Sequence, residues 1–399
     1  MRLRRSAIAI WFGVCFGCAP RAHAQPPEHQ HEHMNMDMNG SGAWSFTQDG
    51  IVFAELNHQG GPRGGDELIA PNWWMGMASR ALPRGRLTLT AMFSLDPATV
   101  GAEGYREIFQ AGEAFGGRPI VDRQHPHDFF MQLAASWRVP VGDAASVTLS
   151  GGPVAEPALG PIAFMHRASA MDNPTAPLGH HTFDSTHVAF GVVTAAVERG
   201  RWTVEGSIFN GREPDEHRWN LEIAPLDSVA GRVWFRPAKE WAVQVSTGHL
   251  HDPEQLEPGD IERTTASISW THAAAAGVAG VTVGYGQNDT DHGVRRALFA
   301  EAARQRGSNT IYGRFESVEV ELISPDRPVA AFTIGGVRDL FRRAGFEGGI
   351  GADLTLYGVP DALADAYSRR PVSFHLFVRL RPPAGAMGRM LNMRLGGEN

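Results

Sequence analysis

The sequence predicts an all-β protein, an up-and-down antiparallel transmembrane β-barrel of about sixteen strands with long loops folding into the mouth. From Trp44 onward, apolar and polar residues alternate with a period of two, which is typical of strands with two different faces. Short connections such as 82–85 and 140–143 alternate with long ones such as 96–127 and 152–184. Short turns at one end and long loops at the other are typical of an outer-membrane barrel.

Sixteen segments are candidate strands, and the alternation is clear in several of them, although 52–59 is ambiguous. In the last, Phe374, Leu376 and Val378 alternate with polar or charged residues. A barrel in lipid turns its apolar face to the acyl chains and its polar face to the lumen, and its closure pairs every backbone group. A soluble β-sandwich or lipocalin-like barrel would bury the same faces, but so many strands would need two cores. The candidate strands start near residues 46, 72, 85, 128, 145, 186, 201, 227, 240, 263, 279, 295, 309, 329, 344 and 372.

Two further details concern the strand faces. In 310–321, Ile311 and Phe315 fall on one phase and Val318 and Val320 on the other, which predicts a bulge or different strand limits. Tryptophans near strand ends or on apolar faces are candidates for an interfacial aromatic girdle. These tryptophans are Trp73, Trp74, Trp137, Trp202, Trp241 and Trp270.

Residues 1–24 are predicted to be a cleaved export signal. They combine the basic start MRLRR, an apolar run too short for a spanning helix, and the small-residue sequence AHA ending at Ala24. A lipoprotein acylated on Cys18 is the alternative. Both cysteines, Cys15 and Cys18, lie in this segment, so the exported chain would have neither disulfides nor thiolate metal ligands. An export signal leaves a globular periplasmic protein or an outer-membrane barrel, and with the strand pattern it predicts the outer membrane of a Gram-negative bacterium.

Residues 25–43 are a low-complexity segment that is predicted to be disordered. Alternating histidines and methionines fit copper capture or delivery, because imidazole suits copper and zinc and thioether suits copper(I). A solvated polar tail that binds metals weakly is the alternative. The barrel is predicted over 44–381, and a methionine-containing tail over 382–399. The candidate ligands of the first tail are His29, His31, His33, Met34, Met36 and Met38.

A second set of candidate metal ligands lies in two long loops, each just before a strand. If both loops fold into the mouth, three or four of these imidazoles and carboxylates would suit zinc, copper or another divalent ion. The alternative is structural, with the same side chains forming a hydrogen-bonded plug, and the two can coexist. These residues are His125, His127, Asp128, His180, His181, Asp184 and His187.

An enzyme is not favoured, and no catalytic or organic-cofactor site is predicted. Ser185 lies beside Asp184 and His187, but it lacks the glycine-flanked turn of a nucleophile elbow. The polar stretch 210–220 is predicted to be an exposed, charged loop, with cation attraction as a weaker option. The formal net charge of −7 argues against a nucleic-acid partner.

The passages GYREIFQAGEAFGGRPIVDRQHPHDFF, FMHRASAMDNPTAPLGHH, FDSTH and GSIFNGREPDEHRW resemble a family of uncharacterised Gram-negative outer-membrane or periplasmic proteins. Genes of that family are commonly found beside copper and heavy-metal resistance determinants. The likeness covers most of the chain from Trp44 onward and implies an envelope location and a metal-stress context. The His/Met-rich tail is also similar, in composition and architecture alone, to the copper resistance protein B family.

The favoured function is therefore an outer-membrane barrel that binds or passes metal ions, with copper as the candidate ion, in envelope metal homeostasis or resistance. The alternatives are a general porin or structural barrel with a loop plug and, less favoured, a barrel hydrolase. The expected partners are outer-membrane lipid, metal ions and periplasmic copper-handling proteins.

Overall fold

The computed structural model describes residues 42–274, 277–322 and 327–382. Several predictions therefore lie outside the described residues. These are the export signal, residues 383–399 of the C-terminal tail, and the tail ligands His29, His31, His33, Met34, Met36 and Met38.

Nineteen strands are present in the described residues, and sixteen of them form a closed barrel. The strands are β1 (Trp44–Gln59), β2 (Gly65–Ile69), β3 (Asn72–Ala81), β4 (Arg86–Phe93), β5 (Tyr105–Phe115), β6 (Arg118–Gln124), β7 (Phe130–Val141), β8 (Ala145–Ala155), β9 (Ala189–Arg199), β10 (Trp202–Phe209), β11 (Ser228–Phe235), β12 (Trp241–Leu250), β13 (Ile261–Ala274), β14 (Gly277–Thr290), β15 (Gly293–Arg306), β16 (Asn309–Val318), β17 (Val329–Arg343), β18 (Phe346–Gly358) and β19 (Val372–Arg381). The short helices are α1 (Asp96–Thr99), α2 (His180–Phe183) and α3 (Asp361–Tyr367), and single 3-10 turns lie at Phe164–His166 and Ser185–His187.

The barrel closes between its first and last strands. β1 pairs with β19 from Val52–Leu380 to His58–Phe374, and it pairs with β3 on its other edge. Every other barrel strand pairs antiparallel with its neighbours along the chain, while β2, β5 and β6 belong to the loops. The predicted sixteen-stranded up-and-down barrel is confirmed. Each predicted start lies within three residues of a barrel strand, the largest difference being 186 against Ala189.

The barrel wall is apolar outside and polar inside. On β19, Leu376 and Val378 are half-exposed on the outer face, whereas His375 and Arg379 are buried on the inner face. This distribution is the reverse of a water-soluble protein and matches a barrel whose outer surface meets acyl chains. No helix in the described ranges is long and apolar enough to cross a membrane.

Four of the six candidate girdle tryptophans are exposed on the outer surface: Trp74, Trp137, Trp202 and Trp241. Trp270 is partly buried. Trp73 was wrongly placed by the sequence prediction, because its ring is buried in the barrel and lies edge-on to His166 at 4.9 Å between ring centroids.

Two loops fill the mouth of the barrel. The connection between β8 and β9, residues 156–188, is buried along most of its length, and the β5–β6 hairpin lies beside it. We call these two segments the plug. Its apolar side chains pack on the inner wall, as Phe183 does against Phe299 of β15. Gly286 of β14 permits this close approach, because a Cβ atom there would lie 2.8 Å from the Phe183 ring.

Buried ion pairs fix the plug to the wall. Arg167 of the plug contacts Glu301 of β15 at 2.6 Å and Asp184 of the plug at 2.8 Å. Asp172 of the plug contacts Arg379 and Arg381 of β19. The carboxylates of the plug are thus neutralised in part by arginines of the barrel wall, which compensates for their burial.

The loop between β10 and β11 corrects the prediction of a simply exposed stretch at 210–220. Its Arg218 is buried and contacts Glu113 of the β5–β6 hairpin, and it lies 3.4 Å from Asp128. Glu213 also turns inward and contacts His181. The loop therefore folds over the plug instead of standing free in solvent.

Candidate functional site

Five of the predicted histidines, three in the plug and two in the segment that leads into β7, lie in one continuous row. The ring centroids are separated by 5.5 Å for His127–His187, 5.3 Å for His187–His180, 6.0 Å for His180–His125 and 5.3 Å for His125–His181. We call this row the imidazole chain. It joins residues that are up to 62 positions apart in the sequence, because both long loops fold into the same mouth.

Local structure directs these rings toward one another. His180 and His181 occupy the single turn of α2, and His187 ends the 3-10 turn that follows it. His125 and His127 lie in the extended segment that leads into β7. The β5–β6 hairpin is irregular beside them, and Glu113 has a φ of 57°. Backbone conformations of this kind are sparsely populated, and they redirect side chains at functional sites.

The Nδ1 atom of each ring in the chain has a fixed acceptor. His127 Nδ1 lies 2.8 Å from Asp96 Oδ2, and His180 Nδ1 lies 2.8 Å from Asp184 Oδ1. The remaining Nδ1 contacts are His187 to the Asp184 carbonyl oxygen at 2.8 Å, His125 to Glu113 Oε1 at 3.1 Å and His181 to Glu213 Oε1 at 3.0 Å. These acceptors assign a proton to Nδ1, so a neutral ring directs its lone pair from Nε2.

Four of the Nε2 atoms are buried and have no hydrogen-bond partner among the described residues: those of His125, His127, His180 and His187. Burial also lowers the pKa of His125, His180 and His187, which keeps these rings neutral near pH 7. A neutral imidazole whose Nδ1–H is held by a carboxylate or carbonyl is the form that binds metal ions in proteins.

The two aspartates predicted as ligands are engaged elsewhere. Asp184 accepts hydrogen bonds from His180, Arg167 and the Phe164 backbone. Burial alone would raise the pKa of Asp184, but the hydrogen bond from His180 and the charge of Arg167 hold it well below its usual range. Asp128 lies beside Arg218, and burial raises its pKa to about 6. In this geometry Asp184 orients an imidazole.

A carboxylate cluster lies at one end of the imidazole chain. Ligand-type atoms of His181, Glu213 and Glu254 all lie within 4.8 Å of one another, and no other group of three in the described residues meets this criterion. Burial disfavours the charged forms of both His181 and Glu213. The nearby Glu213 carboxylate nevertheless raises the pKa of His181 to about 10, and His181 in turn lowers the pKa of Glu213. Burial and the charges of Glu213 and Glu321 raise the pKa of Glu254.

The sequence prediction missed Glu213 and Glu254. Their loops, between β10 and β11 and between β12 and β13, meet His181 only through folding over the mouth. Gly112 of β5 is part of the same arrangement, because a Cβ atom there would lie 2.5 Å from His181 Cε1. A glycine at this point lets the hairpin backbone lie directly on the imidazole ring.

Two cavities meet at His187. The larger, of about 310 Å³, lies below the plug and is lined by Met75, Glu156, His166 and His187 among others. The smaller, of about 20 Å³, lies on the other side and is lined by His125, His127, His187 and Glu213 among others. His187 therefore stands at the constriction between the lumen and the mouth.

Ser185, the residue considered for a hydrolase, is placed differently from a catalytic serine. Its Oγ accepts a hydrogen bond from Arg263 Nη1 at 3.0 Å. A guanidinium remains protonated in proteins and cannot take the hydroxyl proton as a general base. This contact fits a structural role at the junction of the plug and β13.

No protein-family model matches the chain, and no curated protein sequence matches it. Solved structures of porins share its fold. The anion-selective porin from Comamonas acidovorans is 12% identical with a TM-score of 0.52, covering 85% of this chain and 100% of its own. OprB from Pseudomonas putida is 9% identical with a TM-score of 0.53, and the match covers 87% of this chain and 94% of OprB. Salmonella typhi OmpF in complex with daunomycin is 8% identical with a TM-score of 0.51, and the match covers 84% of this chain and 97% of OmpF.

At these identities the likeness concerns the fold. The chain is a closed sixteen-stranded antiparallel barrel of the kind found in outer-membrane porins.

Proposed function

We propose that this protein is a porin-type barrel of the Gram-negative outer membrane that passes small ions and solutes by a route restricted by its plug. The observation that carries the proposal is the meeting of two cavities at His187, inside a barrel with a polar lumen. The apolar outer face supports a position in lipid, and the porin structures support the same architecture.

The restriction follows from the volumes and from the ion pairs. The cavity below the plug is about 310 Å³, whereas the pocket above it is about 20 Å³, close to the space of one water molecule. Arg167 and Asp172 attach the plug to the wall through buried pairs. A plug held in this way leaves a narrow route instead of an open channel.

The described lining gives no single sign of charge to the lower cavity. Glu156, Glu198 and Glu205 line it together with Arg138 and Arg236. The Comamonas acidovorans porin is described as anion-selective. The lining of this chain does not favour anions in the same way, because acidic and basic side chains face the same lumen.

Single-channel recording in planar bilayers tests the proposal. The full mature protein should give small, discrete conductance steps, and Arg167→Met, which removes the contacts to Glu301 and Asp184, should give larger ones. Arg369→Met, at an exposed pair with Asp361, is the matched control. Absence of conductance in every variant would refute a channel, and equal conductance in all would refute restriction by the plug.

The second candidate is a metal-handling barrel, with copper as the candidate ion, that works with periplasmic copper-handling proteins. The specific observation in its favour is the set of four buried Nε2 atoms that have no hydrogen-bond partner in the part of the chain that the structure describes. In this proposal His29, His31, His33, Met34, Met36 and Met38 collect the ion and the imidazole chain is a second station. Copper retention by intact cells tests it, and retention that is unchanged after replacement of both sets would refute it.

A further inference from the structure

We infer that His181, Glu213 and Glu254 form a binding station for a divalent transition-metal ion at the mouth, and that the imidazole chain leads from it through the plug to His187. The inference rests on the proposed passage of small ions and adds the class of ion and its route. The sequence prediction included His181 but neither glutamate.

The ligand set of the station fits this class of ion. One imidazole nitrogen and two carboxylate oxygens, all within 4.8 Å of one another, are donors that Zn²⁺ and Cu²⁺ accept, and the His181 imidazolium releases one proton to the solvent when the ion binds. Glu213 Oε1 is engaged with His181 Nδ1, while Glu213 Oε2 is buried and has no hydrogen-bond partner among the described residues. One oxygen thus orients the ring, and the other is available to an ion.

The histidines behind the station provide an independent reason. His180 is fully buried, and its Nε2 atom has no partner in the described structure, although its Nδ1 is held by Asp184. A buried polar atom without a partner is unfavourable, so each such atom requires an explanation. Four of them in one row are explained together if imidazole nitrogens bind an ion that moves along the row.

The geometry of the row supports movement in steps. His125 and His180 lie 5.3 and 5.5 Å from His181 between ring centroids, and His187 lies 5.3 Å beyond His180. An ion released by one ring therefore has another imidazole ring 5.3–6.0 Å away, measured between ring centroids. Conduction requires several sites of moderate strength instead of one tight site. His187, the next ring along the row, also lines the lower cavity.

The charges around the station are consistent with a cation. Glu213, Glu254 and Glu321 influence one another electrostatically, and His181 and Arg263 are positive groups that act on all three. Arg263 is itself engaged by Asn288 and Ser185. A bound divalent cation would reduce the repulsion among the carboxylates without displacing the hydrogen bonds of Arg263.

The test is a calorimetric titration with Cu²⁺ of the refolded full mature chain, in a background where His29, His31 and His33 are replaced by asparagine. In this background, Glu213→Gln combined with Glu254→Gln should weaken binding at least about tenfold. Glu254→Gln alone should give a smaller loss in the same direction. Glu262→Gln is the matched control, because Glu262 pairs with His249 at 2.7 Å on the exposed surface.

Electron paramagnetic resonance of bound Cu²⁺ gives the second readout. Nitrogen couplings from imidazole should be present in the parent protein and altered in His181→Gln, with circular dichroism confirming the fold. Unchanged affinity in both glutamate variants, or no Cu²⁺ binding by the parent, would overturn the inference. Conductance is recorded on the same samples. A barrel that conducts ions without binding Cu²⁺ would refute the binding station alone. A barrel that binds Cu²⁺ without conducting ions would refute the proposed channel alone.

Discussion

Arg379 of the last barrel strand and Asp172 of the plug form an ion pair that is buried on both sides. The two residues are 207 positions apart in the sequence, and the pair joins the strand that closes the barrel to the segment that fills it. Arg379 also contacts Asp339 of β17, and Asp172 also contacts Arg381. The closure of the barrel and the position of the plug are therefore mechanically linked.

The first prediction concerns the replacement Arg379→Ala. Removal of one partner of a buried pair leaves an uncompensated charge, which destabilises a protein by about 3–5 kcal/mol. Because Arg381 still contacts Asp172, we expect a loss near the lower end, about 3 kcal/mol, together with a larger single-channel conductance. Denaturant unfolding in detergent micelles measures the first effect.

The control for this prediction is Arg369→Ala. Arg369 pairs with Asp361 at 2.8 Å, but both side chains are largely exposed, and exposed pairs contribute about 0–1 kcal/mol. Similar destabilisation by Arg379→Ala and Arg369→Ala would show that the pair with Asp172 does not anchor the plug.

A second prediction tests whether the outer face of the barrel meets lipid. Leu376 projects outward from the middle of β19, and an arginine facing lipid near the bilayer midplane costs about 2–4 kcal/mol. Leu376→Arg should therefore reduce the folded fraction in lipid vesicles. Leu340→Arg, on the outer face near the short turn after β17, should cost about 0–1 kcal/mol. Equal costs at both depths would contradict a transmembrane position.

Much of the fold could be predicted from the sequence because the environment of each strand is binary. A residue faces either lipid or the lumen, and this produces the period of two that marks strands such as β10, β16 and β19. The segment 310–321 departs from this period. In the sequence, Val318 and Val320 break the phase of segment 310–321, but β16 ends at Val318 and its pairing with both neighbours is regular, so the strand limits differ and β16 has no bulge. These valines face inward and pack against the plug, which gives the lumen an apolar patch.

The site was predictable only in part. Histidines such as His125 and His181 stand out in loops of unusual length, so the sequence indicated their region. Glu213 and Glu254 could not be assigned, because their approach to His181 depends on how two other loops fold over the mouth. Local sequence patterns carry no information on such long-range loop packing. The metal at either site remains a prediction.

A third prediction concerns the pH dependence of the loop between β10 and β11. Burial raises the pKa of Glu222 from its ordinary value of 4.5 to about 7, and its Oε1 atom accepts a hydrogen bond from the Asp215 backbone at 3.0 Å. The raised pKa belongs to the folded loop. The stabilising contribution of the protonated Glu222 side chain is therefore fully present below pH 4.5 and is lost as the pH rises through about 7.

Limited proteolysis of this loop should therefore become faster between pH 4.5 and about 7. Glu222→Gln keeps an acceptor oxygen without a titrating group, so its cleavage rate, corrected for the protease's own pH profile, should change less over this range than that of the parent; the remaining change belongs to Asp128, whose pKa is about 6 and which lies beside Arg218 of the same loop. Glu257→Gln, at an exposed position in the neighbouring loop, should behave like the parent. A parent protein with a flat profile would contradict the prediction.

The last prediction uses two glycines of one hairpin to separate backbone strain from the geometry of the site. Gly112 and Gly117 both have positive φ angles, 134° and 72°, so alanine at either position should cost on the order of 1–3 kcal/mol. A Cβ atom at Gly112 would lie 2.5 Å from His181 Cε1, whereas a Cβ atom at Gly117 would meet nothing within 4 Å. Gly112→Ala should therefore also displace the ring and weaken Cu²⁺ binding about tenfold or more, while Gly117→Ala should lower stability alone. Equal Cu²⁺ affinities in the two variants, measured by calorimetry, would show that the position of His181 does not matter for binding.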